Sequence, residues 1–146
     1  MMLTKNQPAP DFTLQGDDGK KHTLSQHVGE TVVLYFYPKD DTPGCTTEAC
    51  DFRDNMARLN SLSVTVYGIS KDSIDSHEKF SAKHGLNFAL LSDPNLEVHA
   101  AYGASDQGKT IRSSFIIDKT GKIVKAWYKV NVKDHVNEII QTLENR

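Results

Sequence analysis

Cys45 and Cys50 are the two cysteines of the chain, five residues apart. Thiolate, not thiol, is the nucleophile, so a cysteine does chemistry only where its surroundings favour ionisation. Cys45 follows Pro43-Gly44 and lies shortly after the apolar, β-branched run Thr31–Tyr37, which Pro38 closes. That pattern predicts a strand buried on both faces handing over to a helix. A helix start offers unpaired backbone N–H groups and about half a positive charge. Pro43 would pre-set the backbone there, and Gly44 would let a small substrate approach it closely. The same N–H groups could hold substrate oxygens, as a helix start holds an anion. Thr42 adds a hydroxyl that both donates and accepts hydrogen bonds. Alone, a cysteine near a strand end is more often a small buried hydrophobe, and Thr42 a turn or cap residue.

The second cysteine changes that balance. In an ideal helix five residues rise about 7.5 Å and turn about 500°, which sets the α-carbons roughly 8–9 Å apart. Disulfides span about 4.4–6.8 Å between α-carbons, so the pair cannot be bridged while the helix stays wound. A structural disulfide here would be a poor design. One that forms only when the helix unwinds would separate two redox states by a conformational step. Two cysteines with scattered histidines make no recognisable zinc site.

The bulk of the chain supports a redox reading. With 146 residues it suits a single domain spanning 1–146. Such a length buries roughly 68–70% of its unfolded surface and needs no disulfide framework. The net charge is −2 and no basic block exceeds a pair, so no nucleic-acid footprint is expected. No apolar run is long enough to span a membrane. The polar start Met1–Pro8 lacks the apolar core of a secretory signal, which points to the cytoplasm, where paired cysteines are more often catalytic than structural. A mature chain with its targeting segment removed would look the same.

The elements that must position the cysteines can be read along the chain. Asp11–Leu14 and Lys21–Leu24 flank the turn-forming Gly16–Gly19, predicting an N-terminal hairpin. Cys45 to about Asn60 reads as one helix, with Phe52, Met56 and Leu59 as its core stripe. Val64–Ser70 reads as a second buried strand. Asp72 is the expected cap of a helix that runs to His84 and stops at Gly85. Phe88–Leu91 is a short strand, and Asp93-Pro94 should open another short helix. Ser113–Asp118 and Ile123–Val130 predict a hairpin, and Asp134 begins a last helix carrying Val136, Ile139, Ile140 and Leu143. This order is that of an α/β, thioredoxin-like fold: a central mixed sheet with helices on both faces. The histidines (His22, His27, His77, His84, His99, His135) match no motif and are expected at the surface or in caps.

Pro38, Thr42 and Cys45 form the P-x-x-x-T-x-x-C pattern of peroxiredoxins, and the run YFYPKDDTPGCTTEACDFRDN from Tyr35 to Asn55 closely resembles the Q type, the bacterioferritin comigratory protein group. The resemblance extends to APDFTL at the start, GIS after the second strand, NFALLSD, and RSSFIIDKTGKI near the end. It implies a thioredoxin fold, with Cys45 as peroxidatic and Cys50 as resolving cysteine. It also implies an arginine beside the thiolate, matched by Arg112, and an acidic residue that orients it, matched by Glu48. Read without the family, Arg112 would be a solvated surface arginine and Glu48 a first-turn helix charge. One departure stands out: only Ala104–Ile111 separates Gly103 from Arg112, a shorter stretch than in many members.

The implied chemistry is attack of the Cys45 thiolate on a peroxide oxygen, giving a sulfenic acid that Cys50 converts to an intramolecular disulfide. Thioredoxin or a similar dithiol would restore the thiols, with no metal, haem or flavin required. The oligomeric state left open is monomer or weak homodimer. Two rivals differ in spacing. A thiol–disulfide oxidoreductase wants C-x-x-C. A thioredoxin-fold copper-binding assembly factor wants C-x-x-x-C and a distal histidine.

Overall fold

The apolar run after the N-terminal hairpin forms strand β3 (Thr31–Phe36), and all six of its residues are buried. The computed structural model describes residues 2–146. In it β3 pairs in parallel with β4 (Val64–Ser70) and antiparallel with β8 (Ser113–Ile117). β4 pairs in parallel with β5 (Ala89–Ser92), whose other edge takes β1 (Thr13–Gly16) and, beyond it, β2 (Lys21–Thr23). β9 (Ile123–Tyr128) closes the far edge, so the sheet order is β2-β1-β5-β4-β3-β8-β9. The mixed sheet, its N-terminal hairpin and the C-terminal β8–β9 hairpin are those expected.

Because side chains alternate along a strand, β3 feeds two cores. Val33, Tyr35 and Tyr37 join Cys45, Ala49 and Phe52 of α1 (Pro43–Asp54), Met56 and Leu59 of α2 (Met56–Ser61), Phe80 of α3 (Ile74–His84) and Ile139 of α5 (His135–Glu144). Val32, Leu34 and Phe36 join Val98 of α4 (Glu97–Ala101), Tyr102 and Phe115 on the opposite face. Gly68 on β4 is required here. A Cβ there would lie 2.7 Å from Tyr35 Cζ, whose ring crosses the strand and stacks on Phe52 of α1 at 4.5 Å.

Three boundaries differ from the sequence reading. The helix expected from Cys45 to Asn60 is two helices. Asn55 Nδ2 donates to the Asp51 carbonyl (2.8 Å), the oxygen its own backbone N–H would need, and that N–H falls back to Phe52 O (3.1 Å). A side chain competing for the helical ladder breaks it there. Ser73, not Asp72, caps α3, accepting from Ser76 N. Asp72 instead accepts from Asp40 N and Ser70 Oγ. Leu96 precedes α4, but the Asp93 carboxylate reaches across to accept from Val98 N and His99 N, so it caps the helix at a distance.

The histidines correct the sequence reading most. His77 and His99 are fully buried and His135 nearly so. Each has a polar partner that makes burial tolerable. His77 meets Asp40 (2.7 Å), His99 meets Asp93 (2.7 Å), and His135 meets Ser114 Oγ (2.9 Å). None of the six is fully exposed.

Candidate active site

Thr42 occupies the N-cap of α1 in extended backbone, with Pro43 in the first turn. Thr46 N donates to Thr42 O (2.8 Å) as the first intrahelical bond. The N–H groups of Gly44 and Cys45 are therefore among the unpaired donors of this helix start. Cys45 is 1% exposed, in the core cluster beneath the helix. The Thr42 hydroxyl donates to Lys39 O (2.8 Å), which leaves its lone pairs free to accept.

Two loops' worth of contacts hold the turn that presents these residues. Pro38 ends β3, and Asp40 turns back into the protein. Its carboxylate accepts from Tyr37 Oη (2.6 Å), Ser76 Oγ (2.8 Å) and His77 Nδ1 (2.7 Å). His77 Nε2 lies 3.0 Å from Leu91 O, so both ring nitrogens face acceptors and both donate, as only the imidazolium can. Burial opposes that charge, but the Asp40 carboxylate, the Leu91 carbonyl and Asp72 together outweigh it and lift His77 above its ordinary value. Outside this core, Asp41 pairs with Lys83 and His84 at the end of α3.

Arg112, just before β8, reaches the helix from the neighbouring strand. Its Nη2 donates to Cys45 Sγ (3.2 Å) and its Nη1 to Glu48 Oε1 (2.7 Å). The Arg112 side chain is 16% exposed, so the solvated surface arginine of the sequence reading is corrected. A Cβ on Gly44 would stand 3.2 Å from Arg112 Nη2, close enough that the guanidinium would have to give way by a few tenths of an ångström. Glu48 is not a first-turn charge either. It lies in the second turn of α1, wholly buried, with Oε2 lacking any partner. Burial pushes its carboxyl up to about 7, against the pull of Arg112.

That raised value has a consequence for stability. A group whose folded value exceeds its unfolded one stabilises fully below the unfolded value, and the contribution is lost as pH rises through the folded value. Wild-type protein should therefore lose stability between 4.5 and about 7 on account of Glu48. Chemical denaturation at about pH 5 and about pH 8 should show a drop that Glu48→Gln makes smaller. An identical drop in both proteins would mean Glu48 is ionised throughout.

Cys50 sits half-buried in the same unbroken helix, and both cysteines are free thiols. The sites expected from sequence thus gather at one place: Thr42, Pro43, Gly44, Cys45 and Glu48 on α1 or its cap, and Arg112 from β8's start. Sequence reasoning missed the Asp40–His77 pair. The signal was available, since His77 and Phe80 share one face of an amphipathic helix.

Over residues 6–126 the sequence matches the AhpC/TSA family. It is 46% identical to peroxiredoxin Bcp of Bacillus subtilis strain 168 over 153 aligned residues, covering 99% of this chain and 98% of that protein. The chain is a peroxiredoxin. Its structure superposes on a mutant of Xylella fastidiosa PrxQ with a TM-score of 0.93 at 32% identity, covering 99% of this chain and 97% of the other. A Xanthomonas campestris bacterioferritin comigratory protein, studied for alkyl peroxide reduction through trapped intermediate and ligand complexes, matches with a TM-score of 0.88 at 34% identity over 92% of this chain and 90% of the other. As a Bcp- and Q-like peroxiredoxin with a thioredoxin-like fold, the chain is a thiol-dependent peroxidase, acting on peroxide with a thiol reductant. This sets aside the oxidoreductase and copper-factor readings. Among the described residues no helix is long and apolar enough to cross a membrane.

Proposed function

We propose that this peroxiredoxin works through Cys45 as peroxidatic and Cys50 as resolving cysteine, within one domain. The observation that carries the reading is Cys45 Sγ at a helix start with the Arg112 guanidinium 3.2 Å away. A fixed guanidinium stabilises both a thiolate and the negative charge on a departing oxygen. The Cys45 thiolate attacks one peroxide oxygen and the O–O bond breaks. The other oxygen leaves and takes a proton as water or alcohol, and Cys45 becomes a sulfenic acid. The Cys50 thiolate then attacks that sulfur, expelling its oxygen as water once protonated, and an intramolecular disulfide closes. Two electrons from a dithiol such as thioredoxin restore both thiols by exchange. Pro43 and Gly44 shape the helix start, Thr42 offers its oxygen to a peroxide O–H, and Glu48 aims Arg112. The cycle suits a reducing compartment such as the cytoplasm and needs only a monomer or weak homodimer.

Mass spectrometry after one equivalent of hydrogen peroxide tests the reading. The expected product is a chain lighter by two hydrogens, with Cys45 and Cys50 linked in one peptide. Sulfenic acid on Cys50, or a disulfide between chains, would refute the assigned roles.

A further inference from the structure

The short stretch Ala104–Ile111 forms a miniature hairpin. β6 (Ser105–Asp106) pairs antiparallel with β7 (Lys109–Thr110) across Gln107-Gly108, both at positive φ, the pattern of a type I′ turn. Two residues a side are too few to hold a hairpin by themselves. His99 supplies the hold. Its carbonyl accepts from Ala104 N (2.8 Å), Ala104 O accepts from Ile111 N (2.7 Å), and its Nε2 lies 3.0 Å from Thr110 Oγ1. His99 is itself immobilised. Its backbone N–H (2.9 Å) and Nδ1 (2.7 Å) both donate to Asp93 Oδ2, and the edge of Phe36 packs on its ring. Asp93 N in turn donates to Ser70 O at the end of β4 (2.8 Å).

Arg112 is two residues beyond Thr110, and its carbonyl accepts from Val130 N (3.0 Å) on the other side. The backbone that launches the guanidinium is therefore gripped at two points, one of them the histidine. We propose that His99 and Thr110 are positioning residues for Arg112, the Asp93–His99–Thr110 chain fixing the short hairpin so that one guanidinium meets Cys45 Sγ and Glu48 together. This rests on the reading of Arg112 as acting on Cys45. A guanidinium that serves two partners at once tolerates little displacement of its strand, and misplacement of a positioned charge costs rate more than stability.

The test is a double-mutant cycle on the first chemical step. Sulfenic acid formation on Cys45 is timed by quenched-flow mass spectrometry in the Cys50→Ser background. Thr110→Val keeps the side-chain shape and removes the hydroxyl, so it should slow the step about three- to tenfold, the worth of one hydrogen bond. Thr110→Ser restores the hydroxyl and should recover most of the rate. In an Arg112→Ala background, Thr110→Val should have no further effect. Equal slowing with and without Arg112 would overturn the proposal, as would a wild-type rate in Thr110→Val. A wild-type rate in Arg112→Ala would instead remove the arginine from the chemistry, and the proposal with it.

Discussion

Replacing Cys45 with serine should reduce thioredoxin-coupled peroxide consumption to the rate of buffer alone. A serine hydroxyl near its ordinary pKa is no nucleophile at neutral pH, whereas even a free thiol is partly ionised there. The change is a small one in volume and leaves a hydroxyl beside Arg112, so the buried site keeps a hydrogen-bonding partner. Loss of activity without loss of fold is the expected signature. Cys50→Ser should behave differently. The first oxidation proceeds, one peroxide is consumed per chain, and turnover through the disulfide stops. With excess peroxide the stranded sulfenic acid should go on to sulfinic acid. Coupled assays on both variants, with intact-mass measurement, separate these outcomes. Most of the wild-type activity surviving in Cys45→Ser would reverse the assigned roles.

Hydrogen exchange should show Thr46–Asp54 protected in the reduced protein and labile after one equivalent of peroxide, with β3, β4 and β8 unchanged. Both cysteines lie in α1, and the ideal helix keeps their α-carbons roughly 8–9 Å apart, too far for a disulfide. The first turns must open for Cys50 to reach Cys45. Opening also draws Phe52 from its place against Tyr35, where it is fully buried. Exposing such a ring costs about 1.5–3 kcal/mol, as much as two or three backbone hydrogen bonds at roughly 0.5–1.5 kcal/mol each. The open form is thus a minor one in the reduced protein. The loop before the helix and its last turn both touch the end of α3: Asp41 pairs with Lys83 and His84, and Arg53 Nη1 donates to His84 O (2.7 Å). Equal protection in the two redox states would show that the cysteines bridge without unwinding.

Residue order along the chain determined the fold class and singled out Cys45 as the candidate nucleophile. A β-branched run closed by Pro38, then Pro43-Gly44-Cys45 before a helical stripe, is local information, because strand and helix periodicities and helix-start chemistry act over a few neighbouring residues. The break at Asn55 was also a local event, but it depended on which acceptor one side chain chose. The state of the charged groups was decided only by the folded structure. Glu48 and Arg112 are 64 residues apart in sequence, and meet because β8 pairs beside β3 and brings its N-terminal end to the start of α1. Their burial, and the rise of Glu48 to about 7, follow from that packing and not from either residue's neighbours. The histidines make the same point. His77 and His99 look like surface residues until Asp40 and Asp93 are placed against them, because a buried polar group is tolerated only where long-range contacts supply its partner.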